Sequence, residues 1–177
     1  MKYNTHTLRD FRIKLMEFDN PVIYCDMDGV LSDFKEYTLN HLGTKFKDKH
    51  WKDLPLDVFY QLSPMPDAHK LWSFIVKYDP RILTAFPKLN RGPISAQAPD
   101  DKKKWMMKHF NWPSSKIFPV LRVDKSRFAK DGRDGRPNLL IDDYLENCQQ
   151  FRNQGGIAIH HTSANNTIHE LKKIGYK

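Results

Sequence analysis

The sequence predicts an α/β fold, a Rossmann-like parallel sheet with helices on both faces, plus a small helical cap insertion. Three observations point there. Short apolar runs alternate with stretches of helical periodicity. Several of those runs close on polar residues, as strands of a parallel sheet do where ligands collect. A length of 177 residues suits one compact domain.

Leu8, Phe11, Leu15 and Phe18 recur at helical spacing, which predicts an N-terminal helix. Pro21-Val-Ile-Tyr-Cys25 reads as a buried strand after an Asp-Asn-Pro break, and it runs straight into Asp26-Met-Asp-Gly-Val-Leu-Ser-Asp-Phe34. From 34 to 78 the texture changes. A helix over Phe34 to Leu42 precedes a Lys-rich stretch carrying Phe46, Trp51, Phe59 and Tyr60. Pro64-Met-Pro66 breaks that stretch and starts a helix over Asp67 to Tyr78. No strand signal appears there. The division expected is therefore a catalytic core of residues 1–33 and 79–177, with a cap of residues 34–78.

Beyond 78 the alternation resumes. Arg81 to Phe86 reads as a strand, and Pro99 to Phe110 as a helix begun by Asp100 and Asp101. Ile117 to Val123 is the next strand, followed by a short basic helix or loop. Asn138 to Asp142 is a further strand, and Tyr144 to Asn153 a helix stopped by Gly155-Gly156. Gly156 to His160 is the last strand, and Thr167 to Ile174 a closing helix.

Basic residues exceed acidic ones, 29 against 21, for a net charge of +8 and a pI near 9.4. That balance favours anionic partners such as nucleotides, phosphorylated metabolites or nucleic acid. No apolar run approaches the roughly 20 residues that span a bilayer. Met1 to Phe18 lacks the apolar core of a signal peptide. The expectation is a cytoplasmic protein without a membrane partner, its oligomeric state open, a homodimer included. Cys25 and Cys148 show no metal-binding spacing and read as buried free thiols.

The predicted strand ends supply Asp26 and Asp28, then Thr84, then Lys125, then Asp142-Asp143. Parallel strands would deliver all of them to one edge. Crowded carboxylates need a cation or a shared proton, and hard oxygen donors suit Mg²⁺. A lysine among them can pair with a nucleophile and hold phosphoryl oxygens. A carboxylate can then attack phosphorus in line, while the second Asp moves protons. Gly29 allows the sharp turn this close approach needs. An Asp-x-Asp or an Asp-Asp alone would usually mean a turn or a helix start. The ordered set of four carries the chemistry.

Asp-Met-Asp-Gly-Val-Leu-Ser-Asp-Phe, Leu-Thr-Ala, Asp-Lys-Ser and Leu-Leu-Ile-Asp-Asp resemble the four motifs of the haloacid dehalogenase superfamily. Within it the chain looks like the 5'(3')-deoxyribonucleotidase group of bacteria and phages, which has a segment similar to Phe59-Tyr-Gln-Leu-Ser-Pro-Met-Pro-Asp-Ala68. The resemblance covers nearly all of the chain after about Pro21. It implies Asp26 as nucleophile and Asp28 as general acid/base, with Mg²⁺ held by Asp26, the Asp28 backbone carbonyl and Asp143, and Asp142 beside it in support. Thr84, the Ala85 N–H and Lys125 would bind phosphate, and Phe34 would present its ring to a nucleotide. The extra segment Lys130-Asp-Gly-Arg-Asp-Gly-Arg136 leaves two residues for the motif lysine, Lys125 or Lys130, with Lys125 favoured because it follows a strand directly. Trp51, Phe59 and Tyr60 are open between nucleobase contacts and helix packing.

Other features read more plainly. Lys102-Lys103-Lys104 predicts a solvated helix face, and His160-His161 a surface pair. The Asp-Gly repeats near Arg133 predict a basic loop, inert or gripping an anionic substrate. The functional expectation is a Mg²⁺-dependent phosphomonoesterase acting on (deoxy)nucleoside monophosphates through an aspartyl-phosphate. Its alternatives are a polynucleotide end-phosphatase and a non-catalytic, nucleotide-sensing relative. A receiver domain uses similar residues, but there the acidic pair ends the first strand, whereas Asp142-Asp143 follows both Thr84 and the lysine.

Overall fold

The structure is a computed structural model that describes residues 20–177. The helix expected over Leu8 to Phe18 lies outside the described residues. Five parallel strands form one sheet: β1 (Ile23–Cys25), β2 (Arg81–Ala85), β3 (Ile117–Val120), β4 (Leu139–Asp142) and β5 (Ile157–His160). Their spatial order is β3-β2-β1-β4-β5. The chain thus builds outward from β1 on one side and then crosses to the other. The crevice at such a reversal, at the carboxyl ends of the strands, is where this architecture places ligands. The predicted α/β class is what the structure shows.

Strand alternation splits the core in two, because successive side chains point to opposite faces. Ile23, Cys25, Ile82, Ile117, Leu139, Ile141 and Ile159 belong to one buried cluster. Helices α3 (Ala68–Ile75), α4 (Pro93–Phe110) and α6 (Ala164–Lys173) cover it through Leu71, Ile75, Ala98, Trp105 and Leu171. Tyr24, Leu83, Leu140 and Ala158 face the other way, against Cys148 and Phe151 of α5 (Leu145–Asn153) and against Ala129. Cys25 and Cys148 are buried and free, one on each face.

Residues 34–78 contain α1 (Phe34–Leu42), a 3₁₀ turn (Asp48–Asp53), the short α2 (Val58–Gln61) and α3. Asp33 caps α1, its carboxylate accepting from the Glu36 N–H at 2.8 Å. Leu54, Val58, Phe59, Leu62 and Leu71 share the cluster that contains the sheet's first face. The Trp105 indole N–H of α4 donates to the Leu62 carbonyl at 2.7 Å. The Asp67 carboxylate accepts from the Ala164 N–H at 2.6 Å, so the segment also caps α6.

Three of the element boundaries that differ from the sequence reading bear on the site. Helix α4 begins at Pro93 behind Gly92, not at Pro99, which lies inside it. The Pro-Asp-Asp run is a genuine start signal, but Gly92-Pro93 offers an equivalent one a turn and a half earlier, and Ile94 and Ala98 extend the buried stripe back to it. Strand β3 ends at Val120, because the next residues wind into a 3₁₀ helix over Arg122–Phe128. Lys125 therefore sits on that helix and does not close a strand. Helix α6 starts at Ala164, where the Ser163 hydroxyl accepts from the Asn166 N–H at 3.2 Å.

Phe151 is the largest ring wholly enclosed on the α5 side of the sheet. Phe151→Ala is expected to cost about 3–5 kcal/mol of unfolding free energy, measured by urea denaturation. A loss below about 1 kcal/mol would contradict a second packed core on that face.

Candidate active site

Asp26 follows β1 directly, its N–H donating to the Ile141 carbonyl at 2.8 Å as the ladder with β4 continues. The chain then turns tightly. The Met27 carbonyl accepts from Leu31 at 2.7 Å and from Ser32 at 2.8 Å, and Gly29 sits at φ +82°. That conformation suits glycine alone without strain. A Cβ at Gly29 would also lie 2.2 Å from Asp143 Oδ2, so the absent side chain leaves room for that carboxylate.

The buried centre is a three-residue charge cluster. Lys125 Nζ lies 2.7 Å from Asp26 Oδ2 and 2.7 Å from Asp142 Oδ2. All three residues are buried. Burial alone would lower the Lys125 ammonium, but the two carboxylates more than offset that and hold it above the usual lysine value. Lys130, the other candidate for the motif lysine, is exposed and packs beside Gly155. Asp142 is fully engaged: Oδ1 accepts from the Tyr144 N–H at 2.9 Å, and the Asn147 amide reaches both oxygens at 3.1 and 3.0 Å. Burial and then the neighbouring Asp26 push its carboxyl up to about 6.

Asp143 is placed differently. Much of the residue is open to solvent, and among the described residues its carboxylate accepts no hydrogen bond. The protein packed about its carboxyl and the charges of Asp26 and Asp142 raise it to about 7. Carboxylate oxygens of Asp26, Asp142 and Asp143 can all lie within 4.8 Å of one another. Three hard-oxygen donors against one ammonium, with one carboxylate unpaired, fit a divalent cation such as Mg²⁺. Asp142's oxygens carry four contacts, whereas Asp26 has one on each oxygen, the Met27 N–H at 2.7 Å on Oδ1 and Lys125 on Oδ2, and Asp143 is the free donor. The Asp28 carboxylate is not part of this group.

Asp28 faces another lysine. Its Oδ1 accepts from the Ser32 hydroxyl at 2.9 Å, and its Oδ2 lies 2.5 Å from Lys102 Nζ. Lys102 also donates to Thr84 Oγ1 at 3.1 Å, and its Nζ stands 4.2 Å from the centre of the Phe59 ring. This overturns the reading of Lys102 as part of a solvated face, since the side chain is 0% exposed. The signal was available: Lys102 lies four residues after Ala98 and four before Met106, on the helix's own buried stripe. Three consecutive lysines masked it. Thr84 is itself fully buried and, on the same side of β2 as Ile82, turns its hydroxyl to Lys102.

Above these groups opens a cleft of about 720 Å³, within the range of small-molecule sites. Asp26, Asp28, Lys125 and Asp143 lie in its lining, with Ala85. Phe34, Phe46, Trp51 and Phe59 make an aromatic wall, Phe34 stacking on Phe59 at 5.7 Å and meeting Phe46 edge-on at 5.1 Å. Lys35, Lys88 and Arg122 add positive charge, and Arg122 lies over the Tyr144 ring at 4.6 Å. Sequence reasoning assigned no role in the site to Phe46, Lys88, Arg122 or Asn147. Tyr60 falls outside the lining and sits under Lys108. Arg133 and Arg136 pair with Asp131 and Asp134, away from the cleft. His160 is exposed as expected, but His161 is buried and bonded to the Thr167 hydroxyl at 2.8 Å, because α6 starts early enough to cover it.

The sequence matches no known protein-family profile and no curated protein. By structure it is similar to a hydrolase from Streptococcus pneumoniae TIGR4, with a TM-score of 0.53 and 11% identity over 88% of this chain and 100% of that one. A hydrolase from Pseudomonas syringae aligns with a TM-score of 0.40 and 15% identity over 88% of this chain and 90% of that one. The first likeness establishes a shared fold; the second alignment is too loose to add to it.

A carboxyl raised on folding binds its proton more tightly in the folded state. Asp142 and Asp143 therefore subtract stability as pH climbs from their ordinary value of 3.8 to about 6 and about 7. Without divalent cations, the melting temperature is expected to fall between about pH 5 and about pH 7.5, and added Mg²⁺ to restore it only at the upper end. Gly29→Ala should abolish that restoration by displacing Asp143. An equal Mg²⁺ effect at both pH values would count against the carboxylate cluster as its site.

Proposed function

We propose that the chain is a hydrolase of the haloacid dehalogenase type, a Mg²⁺-dependent phosphomonoesterase that releases phosphate from (deoxy)nucleoside monophosphates. The observation that carries this is the placement of Asp26: at the end of the central strand, in the cleft lining, paired with buried Lys125 and beside the two carboxylates at the end of β4.

In this reading an oxygen of Asp26 attacks phosphorus in line, forming an aspartyl-phosphate as the bond to the leaving oxygen breaks. Asp28 gives a proton to that oxygen, the Lys102 ammonium beside it stabilising the carboxylate left behind, and the nucleoside departs. Asp28, now a carboxylate, takes a proton from water, which attacks the acyl-phosphate and frees phosphate and Asp26. Lys125 holds the phosphoryl oxygens while remaining anchored to Asp142. The Ala85 N–H adds to that cradle from the cleft lining, and the Thr84 hydroxyl, fully buried and outside that lining, backs it; a hydroxyl that accepts from Lys102 still has its own proton to donate. A magnesium ion held by Asp26, Asp143 and the Asp28 backbone carbonyl would screen phosphate charge from the incoming carboxylate.

The aromatic wall supports a planar base as the leaving portion, and the basic residues of the lining support an anion. A 720 Å³ cleft suits a mononucleotide better than a strand. We assign the protein to the cytoplasm on the sequence reading; among the described residues no helix is long and apolar enough to cross a membrane.

Phosphate release from dTMP, dUMP and a 3'-phosphorylated oligonucleotide, with and without Mg²⁺, tests the reading. Hydrolysis of the mononucleotides only with Mg²⁺ is expected, whereas turnover of the oligonucleotide alone would replace it with end-phosphatase activity. Asp26→Asn should reduce kcat by at least about 10⁴-fold with the melting temperature little changed. Asp143→Asn should mainly raise the Mg²⁺ concentration needed for half-maximal rate. A near-normal rate for Asp26→Asn would refute the covalent route.

A further inference from the structure

We propose that Lys102 is a positioning residue for Asp28, fixing its carboxylate at the cleft edge and tying that setting to the aromatic wall through Phe59. The inference rests on the phosphatase reading for its catalytic consequence, and on geometry alone for its structural one.

A fully buried ammonium flanked along its helix by Ala98, Trp105 and Met106 is costly to desolvate, and the helix's other buried charge, Asp101, is bonded to Gln97. Among the described residues, Asp28 is the one carboxylate within ion-pair distance of it. A methionine would fill the same space without that cost, so packing alone does not explain a lysine there. Its other contacts are as specific. The hydroxyl of Thr84 and the face of Phe59 occupy the remaining directions around Nζ. Phe59 in turn stacks on Phe34, which lines the cleft. One atom therefore touches the residue assigned to move protons, the residue assigned to phosphate and the wall assigned to the leaving portion.

With Ser32 on Oδ1 and Lys102 on Oδ2, both oxygens of Asp28 are fixed. Without Lys102, one oxygen loses its anchor, and the carboxylate can swing into the open cleft. A small misplacement of a proton-transferring group lowers the rate of the chemical step more than substrate binding.

The test compares wild type, Lys102→Met, Lys102→Arg, Asp28→Asn and the double variant Asp28→Asn/Lys102→Met on a phosphomonoester. Lys102→Met is expected to lower kcat about 100-fold with KM changed less than about threefold. Lys102→Arg should recover part of that loss. In the Asp28→Asn background the Lys102→Met change should cost nothing further, which a merely structural role would not predict. If methionine prevents folding, Lys102→Gln carries the same comparison. A single-variant kcat within about threefold of wild type, or a full additional loss in the Asp28→Asn background, would overturn the proposal. A crystal structure of the Lys102 variant decides the geometric part: the Asp28 carboxylate should be displaced, and an unmoved carboxylate defeats the proposal. That outcome is distinct from a wild-type protein that hydrolyses no phosphomonoester, which would defeat the phosphatase reading.

Discussion

The contact on which the rest depends is the ammonium of Lys125 held between Asp26 and Asp142. Two buried carboxylates at neighbouring strand ends would repel strongly, and taking any one of these ions out of water costs several kcal/mol. Each carboxylate can stay only while the ammonium stays between them. Much of the local structure follows from this. The chain after β3 must wind back as a 3₁₀ helix to bring Lys125 under the sheet edge. Asn147, on the buried side of α5, and the Tyr144 N–H must occupy the remaining lone pairs of Asp142. With Asp142 saturated, the unbalanced negative charge falls on Asp143, the carboxylate that faces solvent.

The loop after β1 transmits that arrangement to residues 34–78. The Met65 N–H donates to the Leu31 carbonyl at 2.8 Å, and the Asp33 N–H to the Ser63 carbonyl at 2.9 Å. The segment that supplies the aromatic wall is thus hydrogen-bonded to the same turn that aims Asp28. Its Phe59 also lies against the lysine that pairs with Asp28. The shape of the cleft wall and the placement of the second aspartate therefore share one set of contacts.

What the sequence disclosed, and what it hid, follows from the range of each interaction. Strand runs such as Leu139–Asp142 were legible because alternation is local, and the bend at Asp26 to Asp33 because Asp-Met-Asp-Gly breaks a strand pattern abruptly. The gathering of Asp26, Asp142 and Asp143 followed from parallel topology, whereas Lys125 reaches them from a 3₁₀ helix where the sequence pattern suggested a strand end. The stripe position of Lys102 was local, but three consecutive lysines masked it, and the partner that makes its burial tolerable lies 74 residues away. The early start of α4 was missed for a related reason: two start signals compete, and only tertiary packing of Ile94 and Ala98 chooses. His161 was misplaced because its burial depends on where α6 begins.

The Asp-x-Asp spacing gains its meaning from a change of direction. In a continuing strand, residues two apart point to the same face, so both carboxylates would crowd one pocket. Asp26 does keep the parity of Tyr24 and meets Lys125, whose 3₁₀ helix leads into Phe128 and Ala129 on the α5 side. The turn at Met27 to Gly29 sends Asp28 to the opposite side, where α4 supplies Lys102. The sheet thus stands between two lysines, and each aspartate has its own. One carboxylate is buried beside a second acid and an ammonium, with the unpaired Asp143 close by; the other sits at the edge with a hydroxyl and an ammonium. Two identical side chains acquire different surroundings, which is the physical condition for giving them different chemical tasks. Gly29 is what makes the separation possible. It permits the turn and, by lacking a side chain, leaves the space in which Asp143 completes the site.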